Sequence, residues 1–89
     1  MTDVRTAISV TVRYFAAASA AAGTEQEVLE IHSGASVRDV VDTLSERDAE
    51  LARVLARCSY LLDGVAVRDL DGTLIAGQTL DVLPPFAGG

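Results

Sequence analysis

Apolar and polar residues alternate between residues 8 and 15, so this segment can bury one face of its side chains only as a β-strand. The predicted core face carries Ile8, Val10, Val12 and Tyr14, and the opposite face carries Ser9, Thr11, Arg13 and Phe15. A strand with one buried face needs neighbouring strands and a covering layer. The rest of this chain of 89 residues must therefore supply both.

Helix signals follow the first strand in three places. The alanine-rich residues 16–22 predict a short helix that ends before Gly23, because alanine is a strong helix former and glycine is common after a helix C-terminus. Ser36 is typical of a helix N-cap, and apolar residues at helical spacing predict a long helix from there to about Glu46. The pattern over residues 51–57 predicts another helix.

Strand-like runs predict a sheet around these helices. They cover residues 26–31, 59–62, 65–67 and 79–83. Val28, Leu29 and Ile31 are expected to supply the apolar surface of the second strand. The dipeptide Asp63-Gly64 favours a two-residue hairpin turn between the third and fourth strands. Residues 74–75, Leu-Ile, follow a second turn and are expected to fill the core from a loop.

This order of elements predicts a two-layer α+β fold. Strands 1 and 2 can pair antiparallel, and the long helix can cross one face of the sheet. If strand 1 lies centrally beside the last strand, the tail leaves from the sheet edge into solvent. We expect a mixed sheet of about four to five strands against one main helix, with one or two short extra helices. Residues 1–89 are predicted to form a single domain, from which residues 84–89 project as a C-terminal tail.

Composition excludes several function classes. The net charge of −6 disfavours nucleic-acid binding, which needs clustered Lys and Arg, and suits a basic protein partner better. No apolar run approaches the roughly 18 residues that span a bilayer, so we expect no membrane partner and a cytoplasmic location. Cys58 and His32 each stand alone, so a metal site is not expected.

The C-terminal residues suggest a reactive tail. Gly88 and Gly89 have no side chains, which would let the backbone enter a narrow slot and let another group approach the terminal carbon closely. Pro84 and Pro85 restrict the backbone before them. Residues 84–89 could therefore reach about 20 Å from the folded body, far enough to enter a partner's active site.

Two apolar residues fall on the outer face of the predicted sheet. Phe15 shares its face with Thr11 and Arg13, and Leu83 shares its face with Thr79 and Asp81. In one interpretation local loops cover both side chains. In the other they form an exposed apolar patch at the base of the tail, which is typical of a docking surface.

These segments together resemble a known family. The run Val10 to Ala16, the helix closed by Gly23, the Asp63-Gly64 turn and the C-terminal run Leu83-Pro84-Pro85-Phe86-Ala87-Gly88-Gly89 resemble the small sulfur-carrier subunit of molybdopterin synthase and its ubiquitin-like relatives. The resemblance covers nearly the whole chain. It implies the β-grasp fold, which agrees with the order of elements predicted from the residues.

The resemblance also implies a function and its residues. Gly89 would be adenylated by an E1-like enzyme with ATP and converted to a thiocarboxylate, whose sulfur goes to a pterin precursor held by the large synthase subunit. Phe86, Ala87 and Gly88, together with Pro85, would thread into that subunit, and Phe15, Leu83 and Pro84 would dock on it. The chain would be a carrier subunit in a hetero-oligomer rather than an enzyme alone, with ATP bound only by the activating partner.

Some positions depart from the usual pattern of the molybdopterin carriers. Phe86 stands where a smaller aliphatic residue is more common, and residues 76–78 lack the usual acidic-glycine-acidic form. Several extra residues also precede strand 1. A thiocarboxylate carrier for cysteine, thiamine or tRNA thiolation therefore stays an alternative, as does a ubiquitin-like interaction module or protein modifier.

Overall fold

The computed structural model describes residues 6–85, which contain five strands and three helices. In chain order they are β1 (Ala7–Tyr14), α1 (Ala17–Ala22), β2 (Gln26–His32), α2 (Val37–Arg47), α3 (Ala49–Leu55), β3 (Ser59–Leu62), β4 (Val65–Ala66) and β5 (Thr79–Leu83). The strands form one mixed sheet in the order β2-β1-β5-β3-β4. The predicted mixed sheet with helices is confirmed.

The centre of the sheet is the parallel pair β1 and β5, in which Thr11 lies opposite Thr79 and Tyr14 opposite Val82. Strand β2 pairs antiparallel with β1 on one side, and β3 pairs antiparallel with β5 on the other. Strand β5 is therefore hydrogen-bonded along both of its edges. The last strand of the chain is held in place more completely than either edge strand.

Local sequence determines where the helices and the hairpin begin and end. Gly23 follows α1 in the left-handed conformation, and its N–H donates to the carbonyl of Ser19. Ser36 and Asp39 form a capping box at the start of α2, in which each side chain accepts a hydrogen bond from the backbone N–H of the other. Asp63 and Gly64 both have positive φ, as the predicted two-residue hairpin requires.

The core lies between one face of the sheet and the helices. Its fully buried large side chains are Val10, Val12, Val37, Val40, Leu44, Leu51, Leu80 and Val82. The alternation seen in the sequence is confirmed, since the residues at positions 10, 12 and 14 are all buried. Leu74 enters the same core from the loop before β5, and its side chain is 2% exposed.

Two expectations about individual side chains are wrong. Ile75 does not fill the core with its neighbour, because it turns outward and is 65% exposed. Val28 points to the outer face of β2 and is 63% exposed, since strand alternation directs only Leu29 and Ile31 inward. The first and last residues of the helices and strands lie within two residues of the predicted ones.

Candidate functional site

The parallel pairing of β1 and β5 brings the two predicted docking residues to one end of the sheet. Tyr14 and Val82 are the last paired residues, so Phe15 and Leu83 lie one position further along neighbouring strands. The backbone N–H of Phe15 donates to the carbonyl oxygen of Val82 at 3.2 Å. This is the end at which the chain leaves the sheet toward its C-terminus.

We call Leu83, Pro84 and Pro85 the tail root, since they join β5 to the C-terminal glycines. Leu83 and Pro84 are half-buried, and Pro85 is exposed. The chain therefore reaches the surface within two residues of the last strand. The predicted threading and reactive residues Phe86, Ala87, Gly88 and Gly89 lie outside the described residues.

Phe15 is partly exposed beside the tail root, with 37% of its surface accessible. The local loops leave it partly uncovered, so the structure favours the patch interpretation for this residue. Its carbonyl oxygen accepts a hydrogen bond from the N–H of Ala18 at 3.0 Å. The next residue, Ala16, has φ 51° and ψ −126°, a conformation that costs a non-glycine residue on the order of 1 kcal/mol or more.

An ion pair lies next to this patch on the outer face of the sheet. Arg13 lies directly opposite Asp81 in the β1–β5 register. Its Nε donates to Oδ1 of Asp81 at 2.7 Å and its Nη2 to Oδ2 at 3.0 Å, so the pair is bidentate. Asp81 is only 7% exposed, and its hydrogen bond is the main cause that raises the pKa of Arg13. The guanidinium carbon also lies 5.4 Å from the centre of the Phe15 ring.

A second polar group connects β1 to β2 and α2. The hydroxyl of Tyr14 donates to Oε2 of Glu27 at 2.6 Å, and Nη1 of Arg47 donates to the same oxygen at 2.9 Å. Burial raises the pKa of Glu27, but the hydrogen bonds from Arg47 and Tyr14 outweigh burial and hold it below its usual value. Burial and the bond to Glu27 raise the pKa of Tyr14. Each of these three side chains is hydrogen-bonded to another, so the group links the two strands to the helix.

Two open cavities lie near this end of the sheet, and one of them is lined in part by the tail root. One, of about 400 Å³, is lined by Phe15, Ala16 and neighbouring residues of β1 and β2. The other, of about 410 Å³, lies between α1, α3 and Pro85, and Arg53 and Arg57 line it. Neither cavity holds a histidine or a cysteine. Both cavities are open to solvent rather than enclosed.

The described residues hold no cluster of metal-ligating side chains, and the thiol of Cys58 is hydrogen-bonded. Within residues 6–85, no three His, Cys, Asp or Glu side chains are placed to hold a metal ion. The thiol of Cys58 donates to the carbonyl of Val54, and burial raises its pKa, which favours the unreactive neutral form. No helix in this part of the chain is long and apolar enough to cross a membrane.

Comparison with known proteins decides the family. A family model described as the ThiS family matches residues 12–89. The chain belongs to the ThiS family. The molybdopterin synthase sulfur carrier subunit of Chlamydomonas reinhardtii is 26% identical over 83 residues, which cover 92% of this chain and 100% of that relative. The resemblance inferred from the sequence is therefore confirmed.

Several solved structures have the same fold as this chain. The putative molybdopterin converting factor subunit 1 from Pyrococcus furiosus matches with a TM-score of 0.80 and 28% identity, over 89% of this chain and 99% of that one. Small archaeal modifier protein 1 from Methanosarcina acetivorans matches with a TM-score of 0.78 and 26% identity, over 94% and 99%. The complex of subunits 1 and 2 of the molybdopterin-converting factor from Helicobacter pylori 26695 contains a chain of the same fold, with a TM-score of 0.66, 23% identity and coverage of 92% and 100%. The predicted β-grasp fold is confirmed.

The sequence predicts outer-face positions for Phe15 and Leu83, because they break the strand alternation, but it does not predict the ion pair beside Phe15. Their role in docking stays a prediction. The pairing of Arg13 with Asp81 was missed, although both residues were assigned to outer faces. Only the register of β1 against β5 shows that they lie opposite each other, and 68 residues separate them in the chain.

Proposed function

We propose that this protein carries sulfur as a C-terminal thiocarboxylate for molybdopterin synthase. The observation that carries the proposal is the family match, which extends through the C-terminal Gly-Gly, together with the carrier-subunit relative that aligns over its whole length. The tail root, which reaches the surface at Pro85, supports it, because a carrier must present its end to other proteins. Phe15, Leu83 and Pro84 would contact the partner, and Pro85 through Gly88 would enter it.

The proposed chemistry requires activation of the terminal carboxylate. An α-carboxylate has a pKa of about 3.5 and is ionised at neutral pH, so it is a poor electrophile. An E1-like enzyme would join the Gly89 carboxylate to the α-phosphate of ATP and release pyrophosphate. Sulfide would then attack the acyl carbon, so that a C–S bond forms, the bond to AMP breaks, and a thiocarboxylate is left on Gly89. This division of labour needs no acid, base or metal from the carrier itself.

The partner that receives the tail is proposed to be the large synthase subunit, which binds the pterin precursor. The names of the relatives support this, since two of them are described as subunits and one solved structure is a complex of subunits 1 and 2. The carrier would contribute position and a reactive end, and the large subunit would contribute the active site.

Intact-mass measurement tests the proposal. The protein is incubated with an E1-like enzyme, ATP and a sulfur source, and the wild type should gain the mass difference of one oxygen replaced by sulfur. The matched control carries one alanine appended after Gly89. The terminal carboxylate then belongs to a residue with a side chain, which should abolish the gain in mass. A wild-type protein that never gains this mass, with an enzyme active on a known carrier, contradicts the proposal.

A protein modifier is the second candidate function, and the similarity to small archaeal modifier protein 1 favours it. In that case Gly89 would form an amide bond with lysine side chains of other proteins. Gel-shifted conjugates that disappear when Gly89 is removed would support modification. Loss of molybdoenzyme activity on gene deletion would favour the molybdopterin pathway, whereas cysteine or thiamine auxotrophy or loss of tRNA thiolation would favour another sulfur acceptor.

A further inference from the structure

The backbone of Phe15 is fixed although its ring is partly exposed. Its N–H is bonded to Val82 and its carbonyl to Ala18, and the following residue holds a positive φ. The first bond continues the β1–β5 ladder and the second closes the turn before α1, so the backbone of Phe15 is held at both of its polar groups. These constraints fix the backbone position from which the Phe15 side chain extends, so only the χ torsion angles of that side chain stay free.

Arg13 supplies the constraint on those torsion angles. Its guanidinium lies over the ring of Phe15 at 5.4 Å and is held at two nitrogens by Asp81. Asp81 is in the central strand β5 and its side chain is 10% exposed, so the carboxylate itself has little freedom. Strand β5 thus holds Asp81, Asp81 holds the guanidinium of Arg13, and the guanidinium contacts the ring of Phe15.

We propose that Arg13, held by Asp81, is a positioning residue that keeps the Phe15 ring in one outward orientation for the partner that receives the tail. This inference rests on the proposed function, because the partner is the protein that binds at the tail root. A side chain ordered before binding does not lose its rotamer freedom at the interface, which strengthens association. The planar guanidinium can hold Asp81 through two nitrogens and still cover a ring, which a lysine ammonium cannot.

A simpler role for the pair is to join β1 to β5. The two roles differ in their dependence on Phe15. If the pair only joins the strands, removing Arg13 lowers partner binding by the same factor whether or not the Phe15 ring is present. If Arg13 acts through the ring, its effect on partner binding disappears once Phe15 has been replaced.

A double-mutant cycle with the full-length chain measures this dependence. Binding to the large synthase subunit encoded in the same genome is measured by titration calorimetry for wild type, Arg13→Met, Phe15→Ala and the double variant. Arg13→Met should weaken binding about three- to fivefold when Phe15 is present, and by less than about twofold when it is absent. Equal losses in both backgrounds would overturn the proposal.

Two further variants separate positioning from folding. Arg38→Met removes an arginine that pairs with Asp71 through a 2.7 Å bond on the exposed surface, and it should leave binding unchanged. Arg13→Lys keeps the charge beside Asp81, so it should restore thermal stability to near wild type without restoring binding. Restoration of both properties by lysine would mean that only charge matters, which contradicts the proposal.

An experiment on the free protein does not depend on any partner. In the wild type, NMR should show contacts between the Phe15 ring and the Arg13 side chain, with couplings typical of one χ1 rotamer. Asp81→Asn and Arg13→Met should both give averaged couplings for Phe15. A ring that is already averaged in the wild type overturns the proposal. If the large subunit binds no version of the chain, the proposed function fails, and the NMR result alone decides whether Arg13 positions the ring.

Discussion

Replacing Tyr14 with phenylalanine should destabilise the protein by an amount that depends on pH. The change removes only the hydroxyl, which donates to Oε2 of Glu27 at 2.6 Å, and it leaves the buried ring in place. A hydrogen bond to a charged acceptor contributes about 1.5–3 kcal/mol to stability. Glu27 is 23% exposed and keeps its bonds from Arg47, so we expect a loss near the lower end, about 1.5 kcal/mol at pH 7.

The pH dependence follows from the pKa of Glu27. That pKa is lower in the folded protein than its ordinary value of 4.5, so ionised Glu27 contributes stability above pH 4.5. This contribution is lost as the pH falls through the folded-state pKa, because the carboxyl then binds a proton in both states. The hydroxyl of Tyr14 is one cause of the lowering, so Tyr14→Phe should remove part of the contribution. The difference between wild type and variant should therefore shrink at low pH.

Tyr60→Phe is the matched control, since the chain has two tyrosines and both are buried. The hydroxyl of Tyr60 donates to the backbone carbonyl of Leu55 at 2.9 Å, an acceptor that does not titrate. Its loss should cost about 1 kcal/mol at every acid pH. Urea unfolding followed by circular dichroism at pH 7 and at pH 3.5 measures both variants against wild type. The reasoning is refuted if the loss of unfolding free energy caused by Tyr14→Phe is the same at pH 3.5 as at pH 7, as expected for Tyr60→Phe. It is also refuted if that loss is larger at pH 3.5.

Three other changes test local features of the fold. Ser36→Ala removes the cap of α2 and should lower the free energy of unfolding by about 1 kcal/mol, whereas Ser45→Ala inside the same helix should not; equal effects would contradict the capping argument. Burial is the first cause that raises the pKa of both Tyr14 and Tyr60 above 10.0, so stability should be lost as the pH rises above 10 and tyrosinate absorbance should appear only with unfolding; earlier titration of either would disagree. Ala16→Gly should raise stability by about 1 kcal/mol in thermal unfolding, because glycine tolerates φ 51°, and a decrease would mean the turn is not strained.

The sequence predicted those parts of the fold that depend on neighbouring residues. Alternation identified β1, and the Asp63-Gly64 dipeptide identified the hairpin, because both signals lie within a few residues of the structure they produce. The pairing of Arg13 with Asp81 depends on which strands are neighbours and in what register, and no short segment carries that information. Ile75 was placed wrongly for the same reason, since two adjacent apolar residues in a loop do not reveal which one faces the core.

The contact between Glu27 and Arg47 was also beyond reach of the sequence. It joins an edge strand to the last turn of α2, so it depends on how the helix crosses the sheet. The candidate site divides in the same way. The outer-face positions of Phe15 and Leu83 follow from a local pattern, whereas the ion pair of Arg13 and Asp81 depends on tertiary structure.

The position of the tail root explains how such a small fold could serve a carrier. Within residues 6–85 the carboxylates with lowered pKa, Glu27 and Asp39, hold structural hydrogen bonds, and the Cys58 thiol is held neutral. In the proposed function, the carrier would depend on where it places its end rather than on acids or bases of its own. Strand β5 meets that need, because β1 and β3 bond it on both sides before the chain leaves the sheet. Changes in the edge strands β2 and β4 can then alter the surface without moving the root, whereas a change in the β1–β5 register would move the root, Phe15 and Arg13 together.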